Sequence, residues 1–388
     1  MARLVISTVG TSLLTNQIKN SEKKLSSRLR DTANSTENEI GEDVQDIIFK
    51  MERRAKKILT GGNILEIQEA SAELNGIYEL YDRNLEEGKE DIHWLIATNT
   101  YQGRKTAKIV RDFLVKQGIT KTHIFPESGS NFSTKNTYVF SQGIAKIIRW
   151  IEERENEHKL KNDSPAKIVF NLVGGFKAIQ GYMNTIGMFY ADEIIYIFEG
   201  SNQLIRIPKL PIEIKLPEGS KDYKVPLAMM AHGQVSNSWK EAQKVPKEWV
   251  DVTEKEMTLS AWGQLVYQQC KEELFSSERL LDFPWLHYQD SFCDDYENIT
   301  DKTEKVQLHK KLAEVSYRLK ESNGDTSVLR DNDLKYSPYK GIKDKDIYHF
   351  YINMSLRVSC KKMENGKLSL RYYGDHPHVQ GKELKKKK

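Results

Sequence analysis

The stretch AKIVFNLVGGFKAIQG, residues 166–181, decides the fold of the first half of the chain. An apolar run rich in β-branched residues leads into Gly174, Gly175, Phe176 and Lys177. This order predicts a buried strand, a tight turn and the start of a helix. The N–H groups at such a helix start favour negative charge, so the loop predicts an anion-binding site.

The same alternation of strand and helix recurs along residues 1–208. Amphipathic helical segments, including a long charged one over residues 16–90, separate the strand candidates. Strands alternating with helices predict an α/β Rossmann-like domain with a parallel sheet. The strand candidates are ARLVISTVG, DIHWLIATNT, KTHIFPE, AKIVFNLVGG and the final pair EIIYIFEGS and LIRIPKLPIEI.

Four prolines, at positions 208, 211, 217 and 226, interrupt this pattern and predict a domain boundary. Residues 209–325 have a helical pattern that ends at Asn323 and Gly324, and they predict a helical linker domain. Residues 326–388 alternate and contain an Asn365–Gly366 hairpin signal, which predicts a small antiparallel sheet in an α+β domain.

The charge of the chain is unevenly distributed. The net charge is +4, but residues 330–388 hold 15 Lys and Arg against 7 Asp and Glu. A basic end is typical of contact with nucleic-acid phosphates, although Lys385–Lys388 alone supply four of these charges.

Other features of the composition bound the class of protein. The three cysteines form no CxxC pair, so neither a disulfide framework nor a thiolate metal site is expected. No apolar run approaches the ~18 residues of a membrane span, and the N-terminus is too short and polar for a signal sequence. The sequence therefore predicts a cytoplasmic protein that does not contact membranes.

Three polar loops should meet where parallel strands end, which is where α/β sheets bind ligands. GxGxxG and GxxxxGK[ST] are both absent, so neither a dinucleotide cofactor nor a P-loop is indicated. The candidate ligand-binding residues are Thr8, Gly10, Thr11 and Ser12 in the first loop, Thr98, Asn99, Gln102 in the second, and Gly174, Gly175, Phe176, Lys177 in the third.

TVGTSLL after the first strand and NLVGGFKA after a late strand, in this order, resemble the CARF domain. CARF domains are Rossmann-like sensors of cyclic oligoadenylate in type III CRISPR systems. The resemblance implies a homodimer that binds a ring of adenylates, usually cyclic tetra-adenylate, across its two-fold axis. It also implies that some members cleave the ring slowly, for which Ser12 and Lys177 would polarise and neutralise the reacting phosphate.

The end of the chain, KGIKDKDIYHFYINMSLRVSCKKMENGKLSLRYYGDHPHVQ, resembles the RelE-type ribonuclease fold. That family cleaves mRNA on the ribosome without a metal: the ribose 2′-OH attacks the adjacent phosphate, and cationic side chains stabilise the added charge. The resemblance implies catalytic cations at Arg357, Arg371, Lys340 and Lys343, with proton transfer by Tyr372, Tyr373, His376 or His378.

Together these resemblances predict a CARF–RelE fusion: a ribosome-dependent ribonuclease activated by cyclic tetra-adenylate, with no metal or other cofactor. Two alternatives stay open on sequence alone. One is a ligand-responsive regulator that binds nucleic acid without cleaving it, and the other is a protein whose only chemistry is ring cleavage.

Overall fold

The chain divides into two compact units, Met1–Ile212 and Glu213–Lys388. A computed structural model describes residues 2–127, 132–161, 167–198, 203–217, 219–276, 279–331, 333–339, 344 and 346–385, the side chains of 156–161, 221 and 385 excepted. Each unit is mixed α/β. The boundary lies within the proline-rich stretch where the sequence pattern changes.

The first unit is built on a six-stranded sheet in the order β3-β2-β1-β4-β5-β6. Strands β1 to β5 are parallel, and β6 pairs antiparallel with β5. Its strands are β1 (Leu4–Thr8), β2 (Ile92–Ile96), β3 (Thr122–Phe125), β4 (Ile168–Asn171), β5 (Glu193–Ile197) and β6 (Leu204–Pro208). All six strand predictions are confirmed, and the topology is compatible with a Rossmann-like domain.

Eight helices belong to the described part of this unit. They are α1 (Ser12–Thr15), α2 (Lys23–Asp31), α3 (Glu42–Gly61), α4 (Ile64–Ala70), α5 (Ala72–Leu80), α6 (Tyr101–Lys116), α7 (Thr137–Lys161) and α8 (Lys177–Tyr190). Val5 and Leu95 join one apolar cluster with residues of α3 to α6. On the other face, Trp94 packs against Trp150 of α7. Both faces are therefore covered, which explains the uninterrupted apolar sequence of β1.

The second unit contains a five-stranded sheet in the order β10-β14-β13-β12-β11 and a three-stranded sheet in the order β7-β9-β8. Its strands are β7 (Val235–Ser236), β8 (Val250–Val252), β9 (Glu256–Leu259), β10 (Leu286–Tyr288), β11 (Ser337–Pro338), β12 (Ile347–Tyr351), β13 (Leu356–Lys362) and β14 (Leu368–Asp375). Its helices are α9 (Lys224–Met230), α10 (Ala261–Phe275), α11 (Asp290–Glu297), α12 (Lys302–Glu321) and α13 (His376–Lys385).

The five-stranded sheet is covered on both faces. Phe292 of α11 packs edge-on against Tyr373 on one face. On the other face, Val379 of α13 joins a small cluster with Tyr339, Ile347 and Tyr372. The predicted hairpin is present between β13 and β14, where Gly366 has a φ of 79°.

The second unit differs from the predicted division into 209–325 and 326–388. Leu227 and Leu312 share one apolar core with Val358 and Leu370, so the middle region and the C-terminal sheet pack together. Strand β10 pairs parallel with β14 and thereby joins the two segments. The middle region is also not purely helical, since it contains β7 to β10. These strands have two to four residues, which is too short for a periodic pattern.

Two general findings concern the described residues. None of their helices combines the length and apolar character needed to cross a membrane. All three cysteines are free thiols, with Cys270 and Cys360 buried.

Candidate functional site

The loops that follow β1 and β4 meet at the edge where the parallel strands end. Strand order reverses between these two strands, which is where open α/β sheets bind ligands. The Thr8 hydroxyl donates to the Gly174 carbonyl. A Cβ on Gly10 would lie 3.0 Å from the backbone nitrogen of Gly175, so a larger residue would require the two loops to move apart. Gly175 itself has a φ of 109°, which glycine adopts readily.

Glu73 in the first turn of α5 fastens the loop after β1. Its carboxylate accepts hydrogen bonds from the Gly10 N–H at 2.7 Å and from the hydroxyls of Ser12 at 3.1 Å and Ser71 at 2.8 Å. Glu73 is fully buried. A carboxylate therefore already occupies N–H and O–H donors at the predicted anion site.

The sequence analysis missed Glu73. An acidic residue two positions after Ser71, the N-cap of α5, is common at helix starts, so the local sequence gives no sign of its role. Its contact with Gly10 spans 63 positions along the chain.

The rest of the two loops is more accessible. Thr11 and Ser12 are half-buried at the start of α1, and Phe176 is the N-cap residue of α8. Lys177 is exposed at the first position of α8. Within the described part of the chain, Lys177 has no ion pair, so its ammonium group can meet a ligand anion.

The predicted residues of the loop after β2 divide into two sets. Thr98 is buried and its hydroxyl lies 3.1 Å from that of Thr100, the N-cap of α6. Asn99 is half-buried beside a cavity of about 440 Å³. Gln102 instead donates to the Leu29 carbonyl at 2.7 Å, so its amide holds the end of α2.

A second cluster of polar and aromatic side chains lies on the α13 face of the C-terminal sheet. The Arg357 guanidinium sits 4.8 Å from the centre of the Tyr351 ring, directly across the β12–β13 pair. The His349 ring lies 5.4 Å from Tyr351 and 4.7 Å from Tyr339, and His376 lies 6.0 Å from Tyr339. The end of β11, strands β12 and β13, and the start of α13 thus bring two tyrosines, two histidines and an arginine together.

Burial sets the protonation of two members of this cluster. It raises the pKa of the Tyr339 hydroxyl, and the positive charge of Arg357 opposes this rise. It lowers the pKa of His349 to about 4, with a further lowering by Arg357. At neutral pH Tyr339 is therefore a proton donor, whereas His349 is an uncharged imidazole. The His349 Nδ1 is buried and has no hydrogen-bond partner among the described residues.

Arg357 and Arg371 have different environments, although the sequence placed both on one hairpin as catalytic cations. Arg371 forms a bidentate ion pair with Glu383 of α13, at 2.8 Å and 2.9 Å, and only 13% of its side chain is exposed. Ser359 also donates to Glu383, at 2.7 Å. Arg357 makes no ion pair within the described residues, and its Nε is buried there without an acceptor. Arg357 is therefore the cation available to a phosphate.

The other predicted catalytic residues are spread over both faces of this sheet. His378 lies 2.9 Å from an Asp295 carboxylate oxygen, towards α11 and away from Arg357. The Tyr373 hydroxyl donates to Glu304 at 2.9 Å, also on that side. Tyr372 is buried on the α13 face. Lys340 and Lys343 lie outside the described residues.

Sequence reasoning found Arg357 and His376 but not Tyr339, His349 or Tyr351. One signal was available for two of them: His349 and Tyr351 alternate on a strand, so they share a face, and their strand precedes the one that carries Arg357. Tyr339 had no comparable signal, because the pairing of β11 with β12 follows a long connection.

One comparison with known families bears on this chain. Residues 68–210 match the model of a family described as CRISPR-associated protein (Cas_APE2256). The matched segment contains Glu73 and the loops after β2 and β4, and it ends just after β6. The match covers residues 68–210 of the first unit, without the loop after β1, and supports a link between this chain and CRISPR defence.

Proposed function

We propose that the chain is a CRISPR-linked endoribonuclease that a cyclic oligoadenylate switches on. The first unit binds the ring, most simply cyclic tetra-adenylate, between two copies of the chain. The second unit is RelE-like and cleaves mRNA on the ribosome. The family match to residues 68–210 supports the CRISPR part, and exposed Lys177 at the start of α8 supports the anion-binding part.

One observation carries the ribonuclease proposal: Arg357 is an arginine without a carboxylate partner within the described residues, surrounded by tyrosine and histidine rings. Cleavage by a ribose 2′-OH places added negative charge on the phosphate, and a desolvated guanidinium stabilises such charge. The half-buried ring of Tyr351 also provides a surface on which an RNA base can stack.

The protonation states suggest separate roles in proton transfer. Tyr339 is protonated at neutral pH, as a tyrosine of unshifted pKa also is, so it can donate to the departing 5′ oxygen. His349 is uncharged at neutral pH and can accept the 2′-OH proton as a weak base, either directly or through His376. In this arrangement Arg357 stabilises the phosphorane-like charge between them.

The test uses the full chain in a translating extract, with mRNA ends mapped with and without cyclic tetra-adenylate. We expect ligand-dependent cuts for the wild type and for Arg330→Ala, which removes an exposed arginine of the same unit. We expect loss of cleavage in Arg357→Ala, with ligand binding retained. If the wild type binds RNA but never cuts it, the chain is a nucleic-acid-binding regulator. Cleavage by Arg357→Ala would assign the chemistry to other residues.

A further inference from the structure

The open edge of the parallel sheet forms a groove that the proposed function does not use. Strand β3 is the last strand on its side of the sheet, and α6 and α7 flank it. The groove has a volume of about 840 Å³. Its lining includes Thr122–Phe125 of β3 and Trp150 of α7. We call it the β3-edge groove.

The backbone of β3 has one bonded side and one open side. The carbonyls of Lys121 and Phe125 accept from His93 and Ala97 of the β2 segment. Alternate residues of a strand point their backbone groups to opposite sides, so those of Ile124 face the groove. Among the described strands β3 pairs only with β2, and outside that strand pair no backbone hydrogen bond of the described residues involves the N–H or C=O of Ile124.

The walls of the groove are positively charged. Arg104, Lys108 and Arg111 lie along one side of α6, at spacings of four and three residues, and Arg154 of α7 also lines the groove. Arg111 pairs with Asp112 at 2.7 Å, and Arg104 donates to the carbonyls of Pro126 and Glu127 at the end of β3. Glu127 is the one acidic residue that lines the groove among the described residues. The row on α6 spans about 10 Å, the length of about three residues of extended strand. Its spacing thus suits acidic side chains on an added strand.

The aromatic rings of the groove argue against a nucleic acid as its occupant. Phe125 stacks on Trp150 with ring centres 4.4 Å apart, and Trp94 meets Trp150 at 4.9 Å. Because Phe125 and Trp150 stack on each other, each has one ring face covered, which leaves less aromatic surface for base stacking than single-stranded nucleic-acid sites provide. A second copy of the same edge is disfavoured as well, since it would bring the same cations into contact.

We propose that the β3-edge groove binds an extended acidic segment of a partner protein, which adds a strand beside β3. Backbone hydrogen bonds to Ile124 hold the segment, and its carboxylates pair with the arginines and lysine of α6 and α7. This is the strand-addition mode of peptide recognition. The site is separate from the loops after β1 and β4 and does not depend on the proposed ribonuclease activity.

The test titrates the full chain against a fluorescein-labelled peptide of alternating Glu and Val, by fluorescence anisotropy. We expect saturable binding that weakens with salt, and none for the matching Lys–Val peptide. Lys108→Glu weakens binding about tenfold or more. Lys116→Glu, an exposed lysine of α6 outside the groove, leaves it unchanged.

A second peptide separates strand addition from simple charge attraction. It has the Glu–Val sequence but carries N-methyl groups on its four central residues, which removes the backbone donors. We expect its affinity to fall about tenfold or more. Equal binding of both peptides, or no saturable binding of the first, overturns the proposal. Binding of labelled oligo-dT with the same dependence on Lys108 would reassign the groove to nucleic acid.

Discussion

Removal of Arg371 distinguishes a structural arginine from a catalytic one. Its bidentate pair with Glu383 joins β14 to α13, and the Glu383 side chain is fully buried. Arg371→Ala leaves that carboxylate in the interior with the Ser359 hydroxyl as its one remaining partner among the described residues. Arg357→Ala instead removes a half-buried cation that lies over the Tyr351 ring.

The two substitutions differ in their expected cost. Breaking a buried ion pair by removing one partner costs about 3–5 kcal/mol, because the other charge stays buried. For a unit of this size each kcal/mol lowers Tm by about 2–4 °C, so Arg371→Ala should lower it by ~10 °C. Loss of the Arg357 cation–π contact costs about 1 kcal/mol. Arg371→Ala combined with Glu383→Ala should cost less than the sum of the single changes.

The assay combines thermal unfolding of each variant with RNA cleavage per folded molecule, measured well below the lowest Tm. We expect Arg371→Ala to be unstable but active when folded, and Arg357→Ala to be stable but inactive. If Arg371→Ala keeps the wild-type Tm and loses cleavage, Arg371 is catalytic and the structural reasoning fails. If the double variant loses as much stability as the two single variants together, the Arg371 and Glu383 side chains do not interact.

Three further predictions concern other parts of the chain. Glu73→Gln removes a negative charge beside the predicted anion site. We therefore expect cyclic tetra-adenylate to bind about fivefold more tightly at low salt, as measured by calorimetry. Unchanged affinity would place the phosphates of the ligand elsewhere. Gly175→Ala places a methyl group against Thr8 at a backbone φ of 109°. We expect this change to lower the free energy of unfolding, measured with denaturant, by about 2–3 kcal/mol. The control Gly181→Ala has open space around it and should be neutral or stabilising. Burial lowers the pKa of His309 to about 4, whereas the unfolded chain has the ordinary value of 6.5. The unfolded chain therefore takes up a proton as the pH falls below 6.5, and the folded chain does not. The free energy of unfolding that depends on His309 is complete above pH 6.5 and falls by about 3 kcal/mol towards pH 4. Stability measured across this range should fall less steeply in His309→Asn, and an equal slope would contradict the assignment.

The sequence by itself determined the features that depend on neighbouring residues. The apolar runs and the helical periods between them predict β1 to β6 and the parallel pairing of β1 to β5. The hairpin at Asn365–Gly366 and the end of α12 at Asn323–Gly324 follow from residues that tolerate positive φ, and both glycines have it. These signals are local, because they arise from one turn or one period of backbone.

Only the tertiary structure decided which polar side chains meet. Arg357 and Arg371 have the same residue type on neighbouring strands, yet Glu383 neutralises one of them and leaves the other available. Glu73 reaches Gly10 across 63 positions, and β10 joins the C-terminal sheet from the middle region. The physical reason is that a charge pair or a strand pair is fixed by packing between distant segments, and the residues near each partner carry no record of that contact.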